Sequence, residues 1–164
     1  MKSLLIGIDP GLTGAVATID LGGNLISVQD TPTITVKRGN KNRNVYLETA
    51  MVTLLENSKN AGKVVCVGIE NVHSMPAQGV SSSFHFGQGF GIWLGILAAL
   101  RLPIQRIEPA KWKRGMGIAS GAGKGESILK ALQIFPTASL ARKRDEGRAE
   151  SLLLAEYIRR LKRF

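Results

Sequence analysis

Two apolar runs that each end in an acid constrain this chain more than anything else in it. Ile6-Gly7-Ile8-Asp9-Pro10-Gly11 and, later, Val67-Gly68-Ile69-Glu70-Asn71 each predict a buried strand that delivers one carboxylate at its C-terminal tip. In both runs a glycine stands two positions before the acid, and therefore on the same face of the strand. A lone acid in such a place is costly unless positive charge compensates it. Two such tips predict half of a metal site.

The charge balance points the same way. Twenty-two Lys and Arg against twelve Asp and Glu give a net charge of +10 in 164 residues, which predicts a polyanionic partner. An anionic membrane is the rival, but no basic helix with a wide apolar face is visible. Ile92 to Leu100, the longest apolar stretch, is too short to span a bilayer. Cys66, the one cysteine, excludes an intramolecular disulfide and a cysteine zinc site, so a reducing compartment fits. No signal or transit peptide pattern is seen, and a cytoplasmic protein of a bacterium or phage-infected cell is expected.

Length and the absence of a long linker predict a single domain over 1–164. Leu4 to Asp9, Gly14 to Asp20, Asn24 to Asp30, Lys63 to Glu70 and Pro103 to Ile107 read as strands, the second and third joined at Gly22-Gly23. Thr31 to Asn44 reads as a polar, basic connector. Leu47, Met51, Leu54 and Leu55 recur at helical spacing. A Gly/Ser-rich segment from Ser74 to Gly91 leads into an apolar helix from Phe90 to Leu100. Pro109 opens a short basic helix, Gly115 to Gly125 is a glycine-rich loop, and helices follow over Ser127 to Phe135 and Asp145 to Leu161. This order predicts an α/β fold with an antiparallel start.

The last helix supplies the rest of the site. Its apolar stripe is Leu153, Leu154, Tyr157, Ile158 and Leu161, and Glu150 and Glu146 head that side one turn apart. Asp145 lies off that side and suits an N-cap. The plainer reading pairs Glu146 and Glu150 with Arg142, Lys143 or Arg148 at a solvated helix start. Taken with Asp9 and Glu70, the four acids predict one carboxylate centre, whose hard oxygen donors suit Mg²⁺ or Mn²⁺. Two such ions roughly 4 Å apart serve phosphodiester cleavage.

Gly7-Ile8-Asp9-Pro10-Gly11 with Thr13-Gly14, then Ile69-Glu70, then Asp145-Glu146-Gly147-Arg148-Ala149-Glu150-Ser151-Leu152-Leu153, resemble the RuvC-type Holliday junction resolvases. That closing segment, with Trp112-Lys113, is most similar to the subgroup holding the plant chloroplast resolvase and phage relatives. The resemblance implies an RNase H-like α/β fold, a mixed five-stranded sheet with flanking helices. It also implies paired, metal-dependent nicking of four-way DNA junctions by a homodimer, with two Mg²⁺ or Mn²⁺ ions per active site. Asp9 and Glu70 would be the first two metal ligands and Glu150 the acid of the closing helix. Glu146 stands where the chloroplast-type tail has histidine and many phage relatives have aspartate. It either ligates metal or positions the attacking water, with Asp145 as the alternative fourth acid. Lys124 corresponds to a lysine that approaches the scissile phosphate.

Lys111, Lys113, Arg114, Arg142, Lys143 and Arg144 flank the acids in sequence and are expected to track phosphates. Lys37, Arg38, Lys41 and Arg43 form a loop that either enters the junction centre or is a solvated connector. Phe84 and Phe86 are candidates to stack on an unpaired base, while Phe90 is expected to pack its helix. His73 and His85 read as polar loop residues. The nearly all-apolar helix after Phe90 either fills the core or forms a dimer interface. Lys124 is not part of a nucleotide P-loop, since Ile118 and Gly125 occupy two positions that motif requires. Three rivals are a non-catalytic basic nucleic-acid-binding protein, a nuclease of RNA–DNA hybrids, and an actin-like phosphotransferase, for which 164 residues are too few.

Overall fold

The computed structural model describes residues 1–72, 79–123 and 125–162. Strands β1 (Ser3–Asp9), β2 (Ala15–Asp20) and β3 (Leu25–Asp30) are followed by a ribbon of β4 (Thr33–Arg38) and β5 (Lys41–Tyr46). Then come α1 (Glu48–Ala61), β6 (Lys63–Glu70), α2 (Val80–Ala99), β7 (Ile104–Ile107), α3 (Pro109–Gly115), α4 (Glu126–Ile134) and α5 (Glu146–Leu161). The main sheet has the order β3-β2-β1-β6-β7. The first three strands run antiparallel, whereas β6 and β7 join in parallel. This is the mixed five-stranded sheet with flanking helices that the resemblance implies, and it has the antiparallel start that the element order predicts.

Strand alternation sorts the core onto two faces. Leu5, Ala17, Ile19 and Cys66 pack under α5, backed by Trp112 of α3 and Ala131 of α4. Ile6, Ile8, Val16, Val67 and Ile69 pack under α1 and α2, with Met51, Leu55, Trp93 and Leu97. α5 lies between the sheet and α3 and α4, so its buried residues run from Leu152 through Glu156 and are not confined to one stripe. Of the predicted stripe, Leu161 is exposed and Tyr157 only partly buried.

Two expectations are corrected. The connector over Thr31 to Asn44 is a β-ribbon: Val36 pairs with Arg43 and Arg38 with Lys41, around a turn in which Gly39 adopts a positive φ of 61°. It stayed hidden because nearly every side chain is exposed, so no apolar alternation marks the strands. The ribbon is anchored at its base, where Tyr46 is buried and its hydroxyl donates to the Pro10 carbonyl at 3.2 Å. The second correction is the start of α2, which is Val80 and not Phe90. Ser, Gly and His are weak helix formers, and tertiary packing decides here. Gly89 is buried, and a side chain there would run into Tyr46. His73 lies outside the described residues. His85 is on α2, not in a loop.

Candidate active site

Sheet register brings the first two acids together. Parallel pairing of Gly7 with Gly68 and Ile8 with Ile69 leaves Asp9 and Glu70 at neighbouring strand ends, on the α5 side. The two glycines let that helix sit directly on the sheet. A Cβ on Gly7 would overlap the Ser151 carbonyl oxygen and lie 2.6 Å from the Ala155 nitrogen, and one on Gly68 would crowd Ile158 at 3.0 Å. Gly147 does the same at the helix start, where a Cβ would press on Thr13 and lie 2.9 Å from Asp9 Oδ2. Glu150, one turn further on, therefore lies near enough for its charge to act on both Asp9 and Glu70.

Like charges gathered in a recessed place hold protons tightly. Burial, then the Glu150 and Glu70 carboxylates, push Asp9 up to about 7, against a weak Gly11 N–H contact at 3.4 Å and the charge of Lys113. Burial also raises Glu70, with Glu150 adding to it; the Trp112 Nε1–H, donated to Glu70 Oε2 at 2.7 Å, offsets part of this. Lys113 Nζ lies 3.0 Å from Glu150 Oε1. Burial alone would lower the Lys113 ammonium, but Glu150, Glu70 and Glu146 together raise it.

Glu146 borders this cluster. Its carboxylate accepts the Gly125 N–H at 3.1 Å and lines a cavity of about 680 Å³ with Asp9, Glu150, Lys143 and Arg144. On its other side Glu146 and Glu150 line a cavity of about 580 Å³ with Lys113, Arg114 and the glycine-rich loop. Gly125 takes a positive φ of 97°, which turns the loop so that its N–H reaches Glu146. Lys124 lies outside the described residues.

Asp145 belongs elsewhere. It is buried, but its carboxylate accepts the Arg142 N–H and the Arg142 guanidinium, each at 2.7 Å, instead of capping α5. Arg142 and Arg148 both also pair with Asp30 of β3. Burial opposes ionisation of Asp145, but the Arg142 hydrogen bonds and the two guanidinium charges hold it below the ordinary carboxylate range. The arginines expected to neutralise Glu146 and Glu150 are thus engaged with Asp30 and Asp145, and Glu150 pairs with Lys113 of α3.

The remaining cations fall into separate groups. Lys37, Arg38, Lys41 and Arg43 are exposed on the ribbon, the last three on one face by register. Lys37, Arg38 and Arg43 border a cleft of about 730 Å³ that His85 and Gln88 line from α2 and Thr13 closes next to the acids. Lys111 faces away, beside Glu108 and Tyr157. Phe84 is 68% exposed, Phe86 rests near Gly11, and Phe90 is partly buried with Arg106 over its ring at 5.8 Å. Trp112 is the site residue that sequence reading used only as a family marker. Its position next to Lys113, on a helix opened by Pro109, was the available signal.

The donor chemistry fits a hard divalent cation: three carboxylates, one braced by an indole N–H, with too little positive charge nearby. As the side chains stand around Lys113, no three acids among the described residues surround one point closely enough to hold an ion.

The fold is of the RuvC and RNase H type, α/β with a mixed five-stranded sheet. Two solved structures share it along nearly the whole chain. Thermus thermophilus RuvC in complex with a Holliday junction substrate matches with a TM-score of 0.59 and 14% identity, covering 97% of this chain and 96% of that one. The Thermus thermophilus RuvC structure matches with a TM-score of 0.59 and 16% identity, covering 96% of each. No family profile and no curated protein matches the sequence. Among the described residues no helix is long and apolar enough to cross a membrane.

Proposed function

We propose that this chain is a metal-dependent, structure-selective DNA endonuclease that resolves four-way junctions by paired nicks. The observation that carries the reading is the convergence of Asp9, Glu70 and Glu150 on a protein of net charge +10, with Asp9 raised to about 7. Carboxylates crowded together on a basic protein serve a cation; positive charge elsewhere serves a polyanion. The shared fold with a RuvC bound to a Holliday junction supports the substrate class.

Asp9, Glu70 and Glu150 would hold the Mg²⁺ or Mn²⁺ ions, with Glu146 as fourth ligand or as the group that orients the attacking water. Bound there, such ions lower the pKa of water and steady the charge on the phosphate and leaving oxygen. Trp112 fixes the Glu70 carboxylate, and Gly125 fixes Glu146. Lys113, Arg114, Lys143 and Arg144 border the two cavities and would grip phosphates on either side of the cut; by the family resemblance, Lys124 would serve the scissile one. The ribbon cations Lys37, Arg38, Lys41 and Arg43 would hold a junction arm, while exposed Phe84 and neighbouring Phe86 would meet unpaired bases. Lys111 and Arg142 have a smaller part, one facing away and the other paired with acids.

Cuts on opposing strands need two sites related by a twofold axis, hence a homodimer. The outward side of α2 supports it: Gly91 and Gly95 have open space beyond them, and Ala98 and Ala99 are exposed. The test is to incubate the protein and Mg²⁺ with a four-way junction, a linear duplex and an RNA–DNA hybrid. Symmetric nicks in the junction alone are expected. Cutting only the RNA of the hybrid, or salt-sensitive binding with no nick, would overturn the proposal.

A further inference from the structure

The ammonium of Lys113 occupies the place where positive charge is most needed. It is 3.0 Å from Glu150, and its charge acts on Asp9 and Glu70 as well. Around it the acids are gathered on a lysine, and no three of the described ones embrace a common point. Yet the side chain is not locked in. It remains 38% exposed and lines the cavity of about 580 Å³ alongside Arg114, Ser120 and Gly121. Its helix is anchored by fully buried Trp112, so the flexible stem can swing while the backbone stays.

We propose that Lys113 is a tethered counter-ion that holds the carboxylate centre in the cation-free protein and yields its place when a divalent cation enters. This rests on the reading that the centre takes such a cation. The displaced ammonium then faces the cavity, where a DNA phosphate is its natural partner. Cation and phosphate therefore favour each other's binding, by the same factor in both directions. Free protein binds the metal weakly, and the junction tightens it.

Mn²⁺ titration by calorimetry, with no cutting involved, tests this on the full chain. Lys113→Gln should bind Mn²⁺ several-fold to roughly tenfold more tightly than wild type. Lys113→Arg should behave as wild type, and Lys63→Gln, which removes an exposed charge elsewhere, should change nothing. A non-hydrolysable four-way junction should tighten Mn²⁺ binding to wild type and lose that effect in Lys113→Gln. If Lys113→Gln folds poorly, its melting temperature should recover with Mn²⁺; a failure to recover overturns the proposal. Equal or weaker Mn²⁺ binding by Lys113→Gln overturns it while leaving the metal reading intact. No binding by either protein removes both.

Discussion

Two acid clusters flank the start of α5, and they are built on opposite rules. On one side, Asp30 and Asp145 face Arg142 and Arg148 in matched pairs, and Asp145 is held below its ordinary range. On the other, Asp9, Glu70 and Glu150 share Lys113, and Asp9 and Glu70 are raised. Glu156, further along the same helix, repeats the first pattern with Arg159 and Arg160. A recessed acid is therefore not in itself a sign of chemistry. Acids matched by arginine stay ionised more readily than free ones; acids crowded around a single lysine hold their protons more tightly.

The largest effect should come from the unmatched side. Asp9→Asn, Glu70→Gln and Glu150→Gln should each lower junction cutting by roughly 10²–10³-fold or more while binding in a gel-shift assay survives. Loss of binding in all three would break the contrast, since it would make these acids structural. Asp145→Ala should do the reverse, lowering stability to urea by about 2–3 kcal/mol through the loss of charged hydrogen bonds. A variant of unchanged stability would show that the arginines do not brace it.

The pH dependence should also separate the clusters. Asp9 rises from 3.8 to about 7 on folding, so the folded protein binds that proton more tightly than the unfolded chain. Without divalent cations, stability should fall as pH climbs from about 4 to about 7, and Asp9→Asn should flatten that decline. Asp145 is lowered, so its contribution is present above its ordinary value and fades as pH falls through its folded one. Denaturation at a series of pH values reads both slopes. The smallest effect belongs to the ribbon. Alanine at Lys37, Arg38, Lys41 and Arg43 should leave stability alone and shallow the salt dependence of junction binding, by roughly 0.9 in slope per lost phosphate contact.

How much of this was legible follows from what each element depends on. The main strands and α1 announce themselves through apolar spacing, because their side chains meet the core they define. Asp9 and Glu70 were legible for the same reason, being acids at the ends of such strands. The ribbon and the first turns of α2 were not, since contacts of Tyr46 and Gly89 decide them from afar. Which cation meets which acid was also out of reach. Arg142 and Arg148 adjoin Glu146 and Glu150 in sequence, yet Asp30 takes both arginines and Lys113 crosses from another helix.

Gly7, Gly68 and Gly147 have a consequence beyond close packing. Where α5 rests on Gly7, and where Gly147 meets the turn after Asp9, the helix bears on peptide atoms, with no interposed side chain of the glycine itself. The span from Asp9 to Glu150 is accordingly set by hard stops in the main chain. Exchanges of leucine for valine or methionine elsewhere in the core would cost stability without touching those stops.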